Sequence, residues 1–217
     1  CHISSTAALG RSFPGEHINE KSSWKTSPLN SQYAISKFQA ENEVWRASEE
    51  GLNVVVVNPS IVLGSGNPHR SSGSMFSRIR GGLSFYPTGS NGFVTADDVA
   101  RACCDLLKSE SFGERFLLSS NNMTYQSIFS GIAKALDVKV PSTVAQKWMM
   151  NLYWFWEAFK EITTGKRALV TRQSIRNASN KVYYDGNKIT EKIDFGYADL
   201  QAQIDESAQF YLQFPNA

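Results

Sequence analysis

The sequence predicts an α/β fold: a partial, doubly wound parallel sheet joined to a smaller, mainly helical C-terminal region. Two observations carry this. An amphipathic stretch from Tyr33 to Glu50 stops at Gly51, and a run of mostly β-branched residues, Leu52-Asn53-Val54-Val55-Val56-Val57, follows at once. A run of this kind, without alternation, marks a parallel strand covered on both faces. Helix, glycine stop and buried strand make the second half of a βαβ unit, so a strand is required just before Ser5.

Each element has its own signal. Cys1-His2-Ile3 reads as the end of a buried strand, and the absence of an opening Met leads to the expectation that the natural chain continues upstream. In the helix, Ile35, Phe38, Val44 and Trp45 recur at roughly helical spacing, and Gly51 suits the left-handed position that closes a helix. Asn58-Pro59 is expected to end the strand. Residues 64–92, rich in Gly, Ser, Pro and Asn, read as a loop around a short helix from Ser74 to Arg80. Thr95 with Asp98 three residues on is a capping box that opens a helix to about Lys108. Phe116-Leu117-Leu118 is a short strand, and Thr124 caps a helix to Leu136.

Pro141-Ser142 is expected to start a longer helix carrying Trp148, Met149, Met150, Leu152, Tyr153, Trp154, Trp156 and Phe159. Gln146, Lys147, Asn151, Glu157 and Lys160 give it no strongly basic face, so packing within the protein is preferred to lying on a membrane. From Tyr183 to Phe214 the pattern is strand or loop, then a closing helix over Tyr197 to Tyr211. The expected organisation assigns 1–64 and 93–120 to the sheet-bearing domain, 65–92 to a substrate-loop excursion and 121–217 to a mainly helical substrate-binding region.

Composition excludes more than it selects. With 217 residues, 41% of them hydrophobic and 19% charged, the chain has enough apolar surface for a sizeable core. The net charge of +2 is spread along the sequence, without the basic stripe that nucleic-acid binding needs. No apolar run is long enough to span a bilayer. Three cysteines, two of them the adjacent Cys103 and Cys104, form neither a disulfide framework nor a zinc spacing, which points to a reducing, cytoplasmic setting and no metal. His2, His17 and His69 lack metal-ligand spacing and read as structural or surface residues.

Three short pieces bear chemistry together: Ser4-Ser5-Thr6 at a strand end, Tyr33-Ala34-Ile35-Ser36-Lys37 at a helix start, and Asn58-Pro59-Ser60 after the next strand. Taken singly, Tyr-x-x-x-Lys is far more often a solvated helix pair than a site. Their order changes the balance. Residues four apart share a helix face, and this face starts beside the carboxyl ends of parallel strands, where open α/β sheets bind ligands.

In these three pieces the chain resembles the extended short-chain dehydrogenase/reductases, and most closely their dihydroflavonol-reductase-like branch. Ile3-Ser4-Ser5-Thr6-Ala7-Ala8-Leu9-Gly10 is similar to the family's serine segment, Gly92-Phe93-Val94-Thr95-Ala96-Asp97-Asp98-Val99-Ala100 to a later helix entry, and Phe195-Gly196-Tyr197 to the closing segment. The resemblance implies a Rossmann-type sheet, NAD or NADP as cofactor, and Ser5, Tyr33 and Lys37 as catalytic residues. It further implies that Tyr33 delivers a proton, Lys37 holds the nicotinamide ribose, Ser5 orients the substrate oxygen, and Pro59, Ser60, Ile61 and Val62 place the carboxamide. A phenol ordinarily titrates near pH 10, and a cation about 4 Å away at an effective dielectric of about 20 is worth about 4 kcal/mol, which is why such chemistry wants a Lys one turn from its Tyr. Thr6, and His69 with Arg70 in the loop after Gly64-Ser65-Gly66, are candidates to reach the substrate.

Departures from the pattern also inform. No Gly-x-x-Gly-x-x-Gly follows a strand here, so that fingerprint and the residue that separates NAD from NADP are expected upstream, on the order of 100 residues before Ser5 at 30 or more per βαβ unit. The chain alone is therefore expected to bind cofactor poorly. Thr6-Ala7-Ala8 follows Ser5 where dehydratases carry Thr-Asp-Glu, and Asn91-Gly92 precedes Phe93 where nucleotide-sugar epimerases carry Arg-Asp. The reading is an NAD(P)-dependent oxidoreductase reducing a carbonyl or oxidising an alcohol on a small or mid-sized, partly apolar substrate. The alternatives are a nucleotide-sugar epimerase and a non-catalytic NAD(P)-binding protein. Expected partners are the small-molecule substrate and, through the Tyr-bearing helix, a second copy of the chain; neither nucleic acid nor membrane is expected.

Overall fold

A computed structural model describes residues 1–10, 16–69, 72–146, 148–149, 155 and 177–213. Its centre is a parallel sheet of β1 (His2–Ile3), β3 (Val55–Pro59) and β7 (Glu114–Leu118), in the order β1-β3-β7. His2 pairs with Val56 and Ile3 with Val57, so the strand required before Ser5 is present and parallel. The valine run is buried throughout, as a strand covered on both faces must be. Its boundaries correct the expectation: Leu52 to Val54 stay outside the strand, and Asn58 and Pro59 continue the ladder against Leu117 and Leu118. Uninterrupted burial carries no phase, so it fixes a strand's existence better than its ends.

Helix α1 (Gln32–Glu49) joins the first two of these strands. Ser31 caps it, its Oγ accepting from the Ala34 amide at 2.8 Å, and Gly51 follows at φ +100°, where a side chain would be strained. The residues expected to form its apolar stripe are half-buried. Between them β2 (His17–Ile18) pairs in parallel with β10 (Tyr183–Tyr184), which brings a late segment of the chain to the sheet's carboxyl edge.

After β3, Ile61 to Leu63 form β4, which pairs in parallel with β6 (Ser90–Thr95); β6 pairs antiparallel with β8 (Asn121–Thr124). These strands form a partition. Alternate side chains point to opposite faces, so Leu63 and Phe93 enter one core while Val94 joins the other. The first core is built by helices α2 (Gly73–Arg80), α4 (Tyr125–Ala135) and, near the end of the chain, Leu200–Leu212, around Phe76, Ile128, Ile132, Ile204 and Tyr211. The second lies between the parallel sheet and α3 (Ala96–Lys108), around Val55, Val57, Leu106 and Phe116.

Helices α3 and α4 begin where the sequence places them, with Thr95 Oγ1 accepting from Asp98 N at 2.9 Å and Thr124 Oγ1 from Ser127 N at 3.1 Å. The other half of the expected capping box is replaced: the buried Asp98 carboxylate accepts from the Ala198 amide and pairs with Arg101. It thereby ties the last quarter of the chain to α3. The excursion over 64–92 is less irregular than expected, since Phe85–Tyr86 form β5 and β6 begins at Ser90.

The helix expected from Pro141 does not start there. Thr143–Val144 form β9, paired in parallel with Phe85–Tyr86. Two residues suited to a strand, both paired with an available edge, prevail over the helical spacing further on. Met150, Leu152, Tyr153, Trp154, Trp156 and Phe159, on which that expectation rested, lie outside the described residues. The closing segment resolves into α5 (Lys188–Lys192) and α6 (Leu200–Leu212), the latter capped by Asp199 rather than starting at Tyr197. Among the described residues no helix is long and apolar enough to cross a membrane.

Candidate active site

A cavity of about 970 Å³ opens at the carboxyl ends of β1 and β3. One wall is made by Ser4, Ser5 and Thr6 as they leave β1, by Tyr33 in the first turn of α1, and by Pro59 to Val62 as β3 passes into β4. The opposite wall comes from Asn91 of β6 and from Lys181 to Tyr184. Three of the sequence's pieces thus meet around one space.

Local forces set each group. Ser5 is extended, at φ −164° and ψ 152°, and caps a 3-10 turn over Thr6–Leu9, its Oγ accepting from Ala7 N at 3.2 Å. The preceding amide, Ser4 N, donates to Val57 O at 2.8 Å and keeps the segment on the sheet. Tyr33 is 56% exposed, with its ring free of the core. Lys37 is not in the wall itself. Its Nζ donates to the Ile3 carbonyl at 3.3 Å, at the end of the strand that delivers Ser5.

Thr6 is buried in the wall, and its side chain hydrogen-bonds the Tyr184 phenol; burial pushes that phenol's pKa up, against the pull of this bond. Tyr184 is held from behind as a strand would hold it: Asn122 Nδ2 donates to its carbonyl and Asn122 Oδ1 accepts from its amide, both at 2.8 Å. Gly92 makes the close approach possible. A Cβ there would lie 2.3 Å from Ser119 Oγ and 2.7 Å from the Tyr184 ring. Tyr125, also pushed up by burial, hydrogen-bonds the side chain of Asn91.

His69 is exposed, with its amide bonded to Asn67 Oδ1 at 2.9 Å, and does not line the cavity; Arg70 lies outside the described residues. Sequence reasoning missed Tyr184 and Asn91, which arrive from distant segments without a motif. It also missed a buried cluster beneath the site. Glu41, one turn beyond Lys37 on the same helix face, accepts from Asn58 Nδ2 at 2.8 Å, and Asn58 Nδ2 also donates to Ser5 O at 3.0 Å. The i, i+4, i+8 spacing of Tyr33, Lys37 and Glu41 was the available signal.

The wall has free hydrogen-bonding capacity. Among the described residues Ser4 Oγ and Ser60 Oγ are buried without a partner, so a polar occupant could bond them. Among the described lining residues Lys181 is the single charged side chain. No group of three His, Cys, Asp or Glu among the described residues is arranged to hold a metal ion.

The family model described as the NAD dependent epimerase/dehydratase family matches residues 1–118, more than half of the chain and all three pieces of this wall. The chain belongs to that family. A putative dihydroflavonol 4-reductase from Synechocystis is 21% identical over 218 residues, covering 97% of this chain and 63% of that protein. Tetraketide alpha-pyrone reductase 2 from Arabidopsis thaliana is 38% identical over 97 residues, covering 43% of this chain and 30% of that protein. The chain therefore spans less than two-thirds of the length of these relatives. Among solved structures, a nucleoside-diphosphate-sugar epimerase from Pseudomonas aeruginosa has a TM-score of 0.76 at 20% identity, over 98% of this chain and 66% of its own. A dTDP-glucose 4,6-dehydratase from Bacillus anthracis, in complex with NAD, has a TM-score of 0.71 at 14% identity, over 98% of this chain and 61% of its own. These structures share the Rossmann-type fold expected from the sequence.

Proposed function

We propose that this chain carries the acid-base half of an NAD(P)-dependent oxidoreductase that reduces a carbonyl, or oxidises an alcohol, on a small or mid-sized and partly apolar substrate. The observation that carries the reading is the meeting of Ser5, Tyr33 and Pro59 to Val62 around one cavity, with the Lys37 ammonium anchored at the end of β1. Residues 1–64 and 93–120 belong, in this proposal, to the cofactor-bearing domain, and 121–217 to the substrate side.

The wall suits a nicotinamide nucleotide. The Ser4 and Ser60 hydroxyls, unpartnered among the described residues, and the Lys37 ammonium beside the wall are donors and acceptors of the kind a ribose and a carboxamide need, with Pro59 to Val62 lining the same space. When bound, the cofactor supplies or accepts the hydride. Tyr33 gives its phenolic proton to the oxygen that becomes the alcohol, and takes it back in the reverse direction. Lys37 stabilises the phenolate so formed, and the Ser5 hydroxyl donates to the same substrate oxygen and orients it.

Support for a partly apolar substrate comes from Ile18, Trp24, Ile61 and Tyr183 in the wall and from the shortage of charge there. An epimerase acting on a sugar diphosphate would favour a cationic grip where this chain has Asn91 and Gly92, and the space beside Gly92 is already filled by Ser119 and Tyr184.

The test is NAD(P)H consumption by the full-length native protein over a panel of aldehydes, ketones and UDP- or GDP-sugars, with sugar configuration followed by NMR. Net consumption with a carbonyl compound is expected. Inversion of a sugar without net consumption would make the protein an epimerase, and cofactor binding without turnover of any compound would make it a binding protein.

A further inference from the structure

The one fully buried residue of α1 is a carboxylate: Glu41 is 1% exposed on a helix whose apolar residues are half in solvent. An ionised group is removed from water only where charge and hydrogen bonds compensate it. Among the described residues Glu41 has three partners, from two strands and its own helix. Arg115 on β7 pairs with it, Asn58 Nδ2 on β3 donates to its Oε2 at 2.8 Å, and Trp45 Nε1, one turn on, donates to its Oε1 at 3.2 Å. The Arg115 guanidinium also lies 5.7 Å from the centre of the Trp45 ring.

Asn58 is itself wholly buried, in a strand whose other central residues are valines. Its Nδ2 faces two acceptors, the Glu41 carboxylate and the Ser5 carbonyl, while its Oδ1 has no partner among the described residues. With an acceptor on each side, only the amide nitrogen fits, so the orientation of the side chain is forced. An Asp there would set a second carboxylate against Glu41, and a Val would leave the Ser5 carbonyl with the Ala8 amide as its donor and would break the link to Glu41. A residue kept at the cost of one orphaned oxygen is explained by what its nitrogen joins.

We propose that Glu41 and Asn58 are positioning residues of the site: Glu41, fixed by Arg115, aims the Asn58 amide at the Ser5 carbonyl and thereby sets the serine relative to the helix that carries Tyr33 and Lys37. This rests on the proposed function only in treating Ser5 as catalytic. The link from helix to strand to serine segment stands on the hydrogen bonds alone.

The test uses the full-length protein and two readouts. In Asn58→Ala, amide hydrogen exchange over Ser4 to Ala8 should rise about tenfold or more, while exchange in β7, which Asn58 does not hold through its side chain, stays within about twofold. With a carbonyl substrate that the wild type turns over, kcat should fall about 10- to 100-fold and KM change less than about threefold, as for a group displaced by a fraction of an ångström. In kcat and in exchange over Ser4 to Ala8, Glu41→Ala should match Asn58→Ala. Glu41→Gln should regain part of the lost kcat, because its amide oxygen can still accept from Asn58.

Unchanged exchange over Ser4 to Ala8, a uniform rise across the whole sheet, an unaltered kcat, or a Gln variant no better than Ala would each overturn the proposal. If the wild type turns over nothing in the panel, the functional reading fails and the exchange measurement still decides whether Asn58 holds the serine segment.

Discussion

Helices α1 and α3 flank the same parallel strands, and each buries one carboxylate, but only that of α1, Glu41, is bonded to the strands; Asp98 of α3 is turned to Arg101 and the Ala198 amide. Helix α3 buries Val99, Ala102 and Leu106 against Val55, Val57, Phe116 and Leu118, and its capping Thr95 is itself fully buried. Helix α1 buries a glutamate and leaves Tyr33 and most of its outer surface to solvent. Apolar burial is strong but non-directional, whereas charge-assisted hydrogen bonds fix angles. Against the strands, α3 is therefore held by apolar burial that fixes no angle, and α1, which faces the cavity, by directed bonds that fix particular atoms.

The sharpest way to break this contrast is a pair of substitutions, one on each helix. Tyr33→Phe should lower turnover by about 10²- to 10⁴-fold, the usual worth of a general acid, with a melting temperature unchanged within about 1 °C because the hydroxyl sits on an exposed ring. Initial rates and thermal melts check both halves. Normal turnover in the Phe variant would remove Tyr33 from the mechanism. Leu106→Ala should do the reverse. Its side chain is fully buried, so about 2–5 kcal/mol of stability should be lost, and kcat per folded molecule should hold. For a chain of this size that is a fall of roughly 4–20 °C in Tm. A smaller effect sharpens the same point at the helix entry: Thr95→Ala removes the acceptor of the Asp98 amide and should cost about 1 kcal/mol in urea denaturation, without a change in kcat.

The same contrast separates what the sequence discloses from what it hides. Capped helices with apolar periodicity, α1, α3 and α4, are legible because a Ser or Thr followed by helical spacing has few other readings. Two-residue strands such as β2, β5, β9 and β10 are not, since a pair of residues has no period and its pairing is decided by a distant edge. That is why Thr143 and Val144, by sequence, read as part of a helix entry. At the site, Ser5, Tyr33 and Pro59 to Val62 are readable from their order along the chain, each following a recognisable element. Tyr184 and Asn91 reach the cavity through strand pairings that leave no local trace, and Glu41 reads as a surface charge until Arg115, 74 residues on, is known to face it.

The smallest effect expected probes the ground beneath α1. His2 lies on β1, and burial lowers its imidazole pKa; the Glu41 carboxylate works against that shift and the Lys37 ammonium adds to it. The sign follows from linkage. As pH falls through the ordinary imidazole value near 6.5, the unfolded chain takes up its proton first and the folded one resists, so stability declines until the folded pKa is passed and then levels. Urea denaturation between about pH 8 and pH 5 should show this decline in the wild type and lose it in His2→Gln. The difference between the two curves isolates His2 from other titrating groups. Glu41→Gln should carry the decline to lower pH, because the carboxylate that favours the imidazolium is gone. If the wild-type curve is flat, or His2→Gln keeps the slope, His2 does not sit in the field of the buried cluster, and α1 rests on the sheet by ordinary packing as α3 does.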